Sequence, residues 1–131
     1  MPKASRRVQR DVRVLVDLRD GHSCRRCGRP LWGAEGEGFS RHHRIPRGAG
    51  GSALVERASI IVKVCGSGTT ECHGWIEENR TAAEQDGWLL PKLNPDIDPE
   101  NEPLLTADGW VLLDDTGEIT PCPEPQRVTH A

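Results

Sequence analysis

The sequence predicts an α+β protein in which short β segments and helices surround a metal-stapled core, with a small C-terminal β appendage. Three observations carry this prediction. The 131-residue chain is only 35% hydrophobic and 4% aromatic, with no Tyr and one Phe. A core that thin needs a metal or disulfides to help hold it. Four of the five cysteines fall into two close pairs, Cys24 with Cys27 and Cys65 with Cys72. Apolar spacing also switches along the chain between helical and strand-like periods.

Residues 1–11 are polar and basic and read as an N-terminal tail. Val12, Leu15 and Val16 then recur at helical spacing until Asp20-Gly21 supplies a stop. The segment from Cys24 to Gly38 is rich in turn formers, as expected of a knuckle bent around an ion. FSRHHRI, residues 39–45, reads as a strand ended by Pro46, and RGAGGS follows as a turn. SIIVKV, residues 59–64, is β-branched and predicts a second strand. Good helix formers follow from His73 to Gly87, which serves as the stop.

The core unit therefore spans residues 12–88. Beyond it, the repeats Gly87-Trp88-Leu89-Leu90 and Gly109-Trp110-Val111-Leu112 read as strands. Turn signals at Asp108-Gly109 and at Asp114-Asp115-Thr116-Gly117 make residues 89–121 a small meander. Residues 122–131 read as a disordered tail. Trp32, Trp75, Trp88 and Trp110 are assigned to the core, since few other large apolar groups exist.

Net charge is −3, but the charges are polarised. Lys and Arg outnumber Asp and Glu twelve to five over residues 1–48, a net +7; over residues 49–131 the ratio is five to fifteen, a net −10. The basic half can neutralise phosphates while the acidic half stays clear of them. No run of about 18 apolar residues exists to span a bilayer, and MPKASRRVQRDVRV lacks a signal-peptide pattern. The expected location is the cytoplasm, with no membrane partner. Clustered thiols in that reducing compartment are more often metal ligands than disulfides.

Cys24-x-x-Cys27 and Cys65-x6-Cys72 can each present two thiolates from one bend of backbone, and two such pairs make a tetrahedral structural zinc site. Arg25 and Arg26 sit where they could offset the thiolate charge. Reduced thiols without metal, or a disulfide within a pair, are the alternatives. Cys122, between two prolines, reads as a free surface thiol, and His22 and His130 have no constellation around them.

His42 and His43 are adjacent on the first strand, and His73 follows the last clustered cysteine at the start of the helix, with Glu77 four residues further on. Positions i and i+4 share a helix face, so His73 and Glu77 can point at one ion facing the strands.

Taken in order, Cys24-x-x-Cys27, the run from His42-His43-Arg44-x-Pro46-Arg47-Gly48 to Gly50-Gly51-Ser52, Cys65-Gly66-x-Gly68 and Cys72-His73-Gly74-Trp75 resemble the zinc-containing HNH endonucleases, particularly those of tailed bacteriophages. The resemblance covers about residues 12–88. It implies a ββα-metal, treble-clef-like core that holds one catalytic divalent ion, Mg²⁺, Mn²⁺ or Zn²⁺, beside the structural zinc. It also implies DNA cleavage with low sequence specificity, in host cytoplasm, with DNA and the terminase subunits of phage packaging as partners. Under it His43 is the general base, and His42 and His73 are metal ligands; Glu77 stands where the family often has a further histidine. The family's central asparagine, which orients the base, falls at Ser59-Ile60, which implies a less well oriented base here.

Arg41, Arg44 and Arg47 around the doublet are expected to contact the DNA backbone, extended by Arg6, Arg7, Arg10 and Arg13. The rival readings are a non-catalytic zinc-stapled module that binds DNA or protein, its activity lost with the asparagine, and a structural domain whose acidic meander docks a basic partner.

Overall fold

The computed structural model describes residues 5–46, 55–91 and 96–126. Helix α1 (Arg6–Asp20) leads into a two-stranded antiparallel sheet of β1 (Phe39–His43) and β2 (Ile61–Cys65), followed by α2 (Glu71–Glu78) and α3 (Arg80–Gln85). A 3₁₀ turn at Pro99–Asn101 precedes an antiparallel meander of β3 (Leu104–Thr106), β4 (Gly109–Leu113) and β5 (Ile119–Pro121). The fold is thus α+β, and among the described residues no helix is long and apolar enough to cross a membrane.

Helix α1 starts six residues before the expected helix because Ser5 caps it, its hydroxyl accepting the Val8 amide at 3.1 Å. Residues 5–11 therefore belong to ordered structure, and residues 1–4 lie outside the described part. The long predicted helix is divided at Asn79, whose φ of −123° is not helical and whose side chain donates to the Trp75 carbonyl at 3.0 Å.

Every residue of β2 is buried, because α1 covers one face of the hairpin and α2 with the meander covers the other. Ile61 packs with Val16 and Ala58 on the α1 side; Val62 and Val64 pack with Ile76, Trp88, Leu104, Val111 and Leu113 on the other. The meander shares this core. On the α1 face, Asp20 is 5% exposed and bonds the Arg19 guanidinium at 2.7 Å, that of Arg25 at 2.8 Å and the Lys63 amide at 3.0 Å. This buried network ties the helix end to the strand.

Two expectations are corrected here. Gly87-Trp88-Leu89-Leu90 is not a strand: among the described residues no neighbour offers it a ladder, and it runs as a buried segment whose Leu90 amide donates to the Arg44 carbonyl at 2.7 Å. Of the four tryptophans only Trp88 is fully buried, its indole donating to the Leu105 carbonyl at 3.1 Å, while Trp32 is 54% exposed.

Arg44 is a further correction, since its guanidinium is buried and cannot face a nucleic acid. It donates to the carbonyls of Gly87 (2.8 Å), Ser59 (3.0 Å), Glu102 (2.7 Å) and Pro99 (3.4 Å). Burial lowers its pKa to about 10, which leaves it charged at neutral pH. Truncation would orphan carbonyls from three segments at once, so Arg44→Ala is expected to lose at least about 3 kcal/mol of stability in urea unfolding, and Arg44→Lys to recover only part.

Candidate metal centres and cleft

The four cysteines converge from both halves of the core. Cys24 and Cys27 sit on the knuckle after α1, tightened by the Gly28 amide donating to the Cys24 carbonyl at 2.8 Å. Cys65 ends β2 and Cys72 lies in the first turn of α2. Between them Gly66 has φ of +87°, and a Cβ there would lie 2.2 Å from the Thr70 carbonyl oxygen, so the connection closes only with glycine.

All four Sγ atoms lie within 4.8 Å of one another, and those of Cys27 and Cys65 are 3.8 Å apart. Tetrahedral zinc with bonds of about 2.3 Å sets its sulfurs about 3.8 Å apart, so the cluster fits a structural zinc. Arg26 donates to the Cys72 sulfur at 3.3 Å while its guanidinium lies 3.6 Å over the Trp75 ring. Arg25 instead serves Asp20 and does not reach the thiols. Within the cluster, a hydrogen bond from Cys72 holds the Cys24 pKa down to about 4, and burial pushes that of Cys65 up to about 11.

A second constellation lines an open cleft of about 590 Å³ between α1 and α2 at the end of the hairpin. His42 pairs with Val62 and His43 with Ile61, so the two neighbours project to opposite faces of β1. His42, 3% exposed, turns toward α2, where its ring meets that of His73 with centroids 5.4 Å apart. Its Nε2 lies 2.7 Å from the Trp88 carbonyl oxygen, which can only accept. The proton therefore sits on Nε2, and Nδ1 keeps its lone pair.

Among the described residues, the buried Nδ1 of His73 has no hydrogen-bond partner. Two imidazoles, one with a free acceptor nitrogen and the other with an orphaned one, suit a divalent cation. Burial lowers the pKa of both, His42 to about 3, and for His73 the Glu77 carboxylate opposes the shift. Glu77 reaches the same cleft but is bonded to Arg80 at 3.1 Å. Among the described residues only the cysteines bring three or more ligand atoms within 4.8 Å, so His42, His73 and Glu77 share a cleft without forming so tight a set.

On the other face of β1, His43 Nε2 lies 3.3 Å from Oε1 of Glu56, a residue 8% exposed in the loop between the strands. Sequence reasoning passed over Glu56, because no motif or period marks it. The place that matches the family's asparagine is otherwise engaged: Ile60 is core, and the Ser59 hydroxyl bonds Asp115 at 2.5 Å, tying the loop to the meander.

The expected arginines divide. Arg41 lines the cleft but is bound to Asp17 at 2.8 Å and to Glu35. Although burial opposes it, these carboxylates raise its pKa above the ordinary value. Arg44 is buried; Arg47 and residues 48–52 of the motif lie outside the described residues, as does His130. Gln9 and Arg13 of α1 also line the cleft, and they continue with Arg6 and Arg10 into an adjoining groove. Arg6, Arg10 and Arg13 thus make one cationic face leading to the histidines.

Comparison with protein-family models, curated proteins and solved structures found no match in any of the three.

Two outcomes are expected. The purified protein carries about one zinc per chain by atomic emission, and Cys24→Ser or Cys72→Ser abolishes cooperative thermal unfolding. For the buried histidine, the unfolded chain takes up a proton near pH 6.5 that the folded chain refuses until about pH 3, so stability falls as pH drops through that window. His42→Gln, which can still donate to the Trp88 carbonyl, is expected to flatten the urea-unfolding slope between pH 6 and 4 by up to about 1.4 kcal/mol per pH unit.

Proposed function

We propose that the protein is a metal-dependent HNH-type endonuclease that hydrolyses DNA phosphodiester bonds with little sequence preference. The observation that carries this reading is the meeting of His42 and the partnerless His73 Nδ1 in a cleft that also holds His43 and the arginine face of α1. A hairpin followed by a helix, with a four-cysteine cluster beside it, is consistent with the ββα-metal arrangement that the resemblance implies.

His42 and His73 would hold the divalent ion, and Glu77 would join them by exchanging its bond to Arg80. When bound, the ion supplies Lewis-acid stabilisation of charge on the scissile phosphate and the departing 3′ oxygen. The chain's own residues do the rest. His43, with its proton on the nitrogen facing Glu56, carries its lone pair on Nδ1, the atom that would take a proton from water as that water attacks phosphorus in line. Arg6, Arg10 and Arg13 hold neighbouring phosphates without reading bases. The expected products carry 5′-phosphate and 3′-hydroxyl ends, one strand per encounter.

Supercoiled plasmid incubated with Mg²⁺, Mn²⁺ or Zn²⁺ is expected to become open circle, with none formed in EDTA. His43→Ala, matched in thermal unfolding, is expected to lower the rate about a hundredfold or more. Intact plasmid with every metal would overturn the reading in favour of a non-catalytic zinc-stapled module that binds DNA or protein.

A further inference from the structure

We infer that Glu56 is the positioning residue for His43, doing from the interior of the β1–β2 loop what the asparagine missing at Ser59-Ile60 does in the family this chain resembles. The inference rests on the nuclease reading of the cleft and adds a residue to it.

The argument is geometric. His43 lies at the last position of β1, paired in register with Ile61 of β2. Glu56 Oε1 stands 3.3 Å from its Nε2, and the carboxylate is itself buried, 7% exposed as a side chain. A carboxylate beside an imidazole in a partly dry setting fixes both the ring's rotation and its tautomer, because it accepts and cannot donate. With Nε2–H donated to Glu56, the lone pair of the neutral ring lies on Nδ1. Both residues line the same cleft, so this orientation is set where substrate would lie.

Neither residue at the expected place can substitute. Ser59 is held by Asp115, and Ile60 is buried in a cluster with Ile45, Val55 and Leu90. That cluster also fixes Val55, the neighbour of Glu56, so the loop backbone presents the carboxylate from a packed base.

The test uses plasmid nicking by the zinc-loaded full chain with Mg²⁺ or Mn²⁺, comparing wild type, Glu56→Ala, Glu56→Gln, His43→Ala and the His43→Ala/Glu56→Ala double variant. Glu56→Ala is expected to lower kcat about tenfold or more with KM for plasmid unchanged. Glu56→Gln, whose amide oxygen still accepts from Nε2–H, is expected to stay within about threefold of wild type. The double variant is expected to match His43→Ala, since a residue acting only through His43 has nothing further to lose.

A Glu56→Ala rate equal to wild type, or a double variant slower than His43→Ala by the full Glu56→Ala factor, would overturn the positioning role. Should Glu56→Ala fail to fold, the Gln variant decides alone: activity near wild type supports the inference, and a tenfold loss of kcat overturns it. A wild-type protein that nicks nothing would instead overturn the nuclease reading on which the inference stands.

Discussion

One buried guanidinium holds the two halves of this molecule together. Arg44 follows the histidine doublet directly, and its bonds go to carbonyls of the β1–β2 loop, the segment after α3 and the 3₁₀ turn before the meander. Those carbonyls lie outside the strand ladders; that of Pro99 also accepts the Glu102 amide within its 3₁₀ turn, and those of Ser59, Gly87 and Glu102 are met by the guanidinium. The same tether fixes the segment containing Trp88, whose carbonyl sets the tautomer of His42. Architecture and site chemistry therefore hang on a residue that touches no candidate ligand.

The two candidate metal centres are coupled through the backbone. Cys65 closes β2 and Cys72 opens α2, with His73 next in the chain. A metal on the cysteines fixes where α2 begins, and so fixes His73 against His42. The asymmetry of charge follows the same layout: α1 carries the arginines toward the cleft, and carboxylates such as Asp17, Glu35 and Asp20 neutralise the basic groups used for structure.

Much of this was legible in the sequence. Paired cysteines, β-branched runs and the spacing of His73 from Cys72 are local signals, and they located the thiol cluster, both strands and α2. What escaped depends on distant partners. Arg44 lies in a basic run, where burial is invisible until the carbonyls of Gly87 and Glu102 fold over it. Glu56 lies in a loop without periodicity, and only the end of β1 gives it meaning. Gly87 to Leu90 has strand-like composition but meets no free edge, so tertiary packing overrode propensity. The early start of α1 turned on a single hydroxyl at Ser5.

The placement of His42 and His43 on opposite faces of one short strand bears on how this chain tolerates change in length. Side chains in a strand alternate with a period of two, so a shift of one residue exchanges the faces of all of them. Inserting or deleting a single residue within Phe39–His43 would turn the buried imidazole toward α1 and its neighbour toward α2, while Ser40 and Arg41 would lose their partners in the same stroke. Substitutions along this strand remove one function each, whereas an indel scrambles them all; variation in length among descendants of this sequence must therefore be confined to the connections.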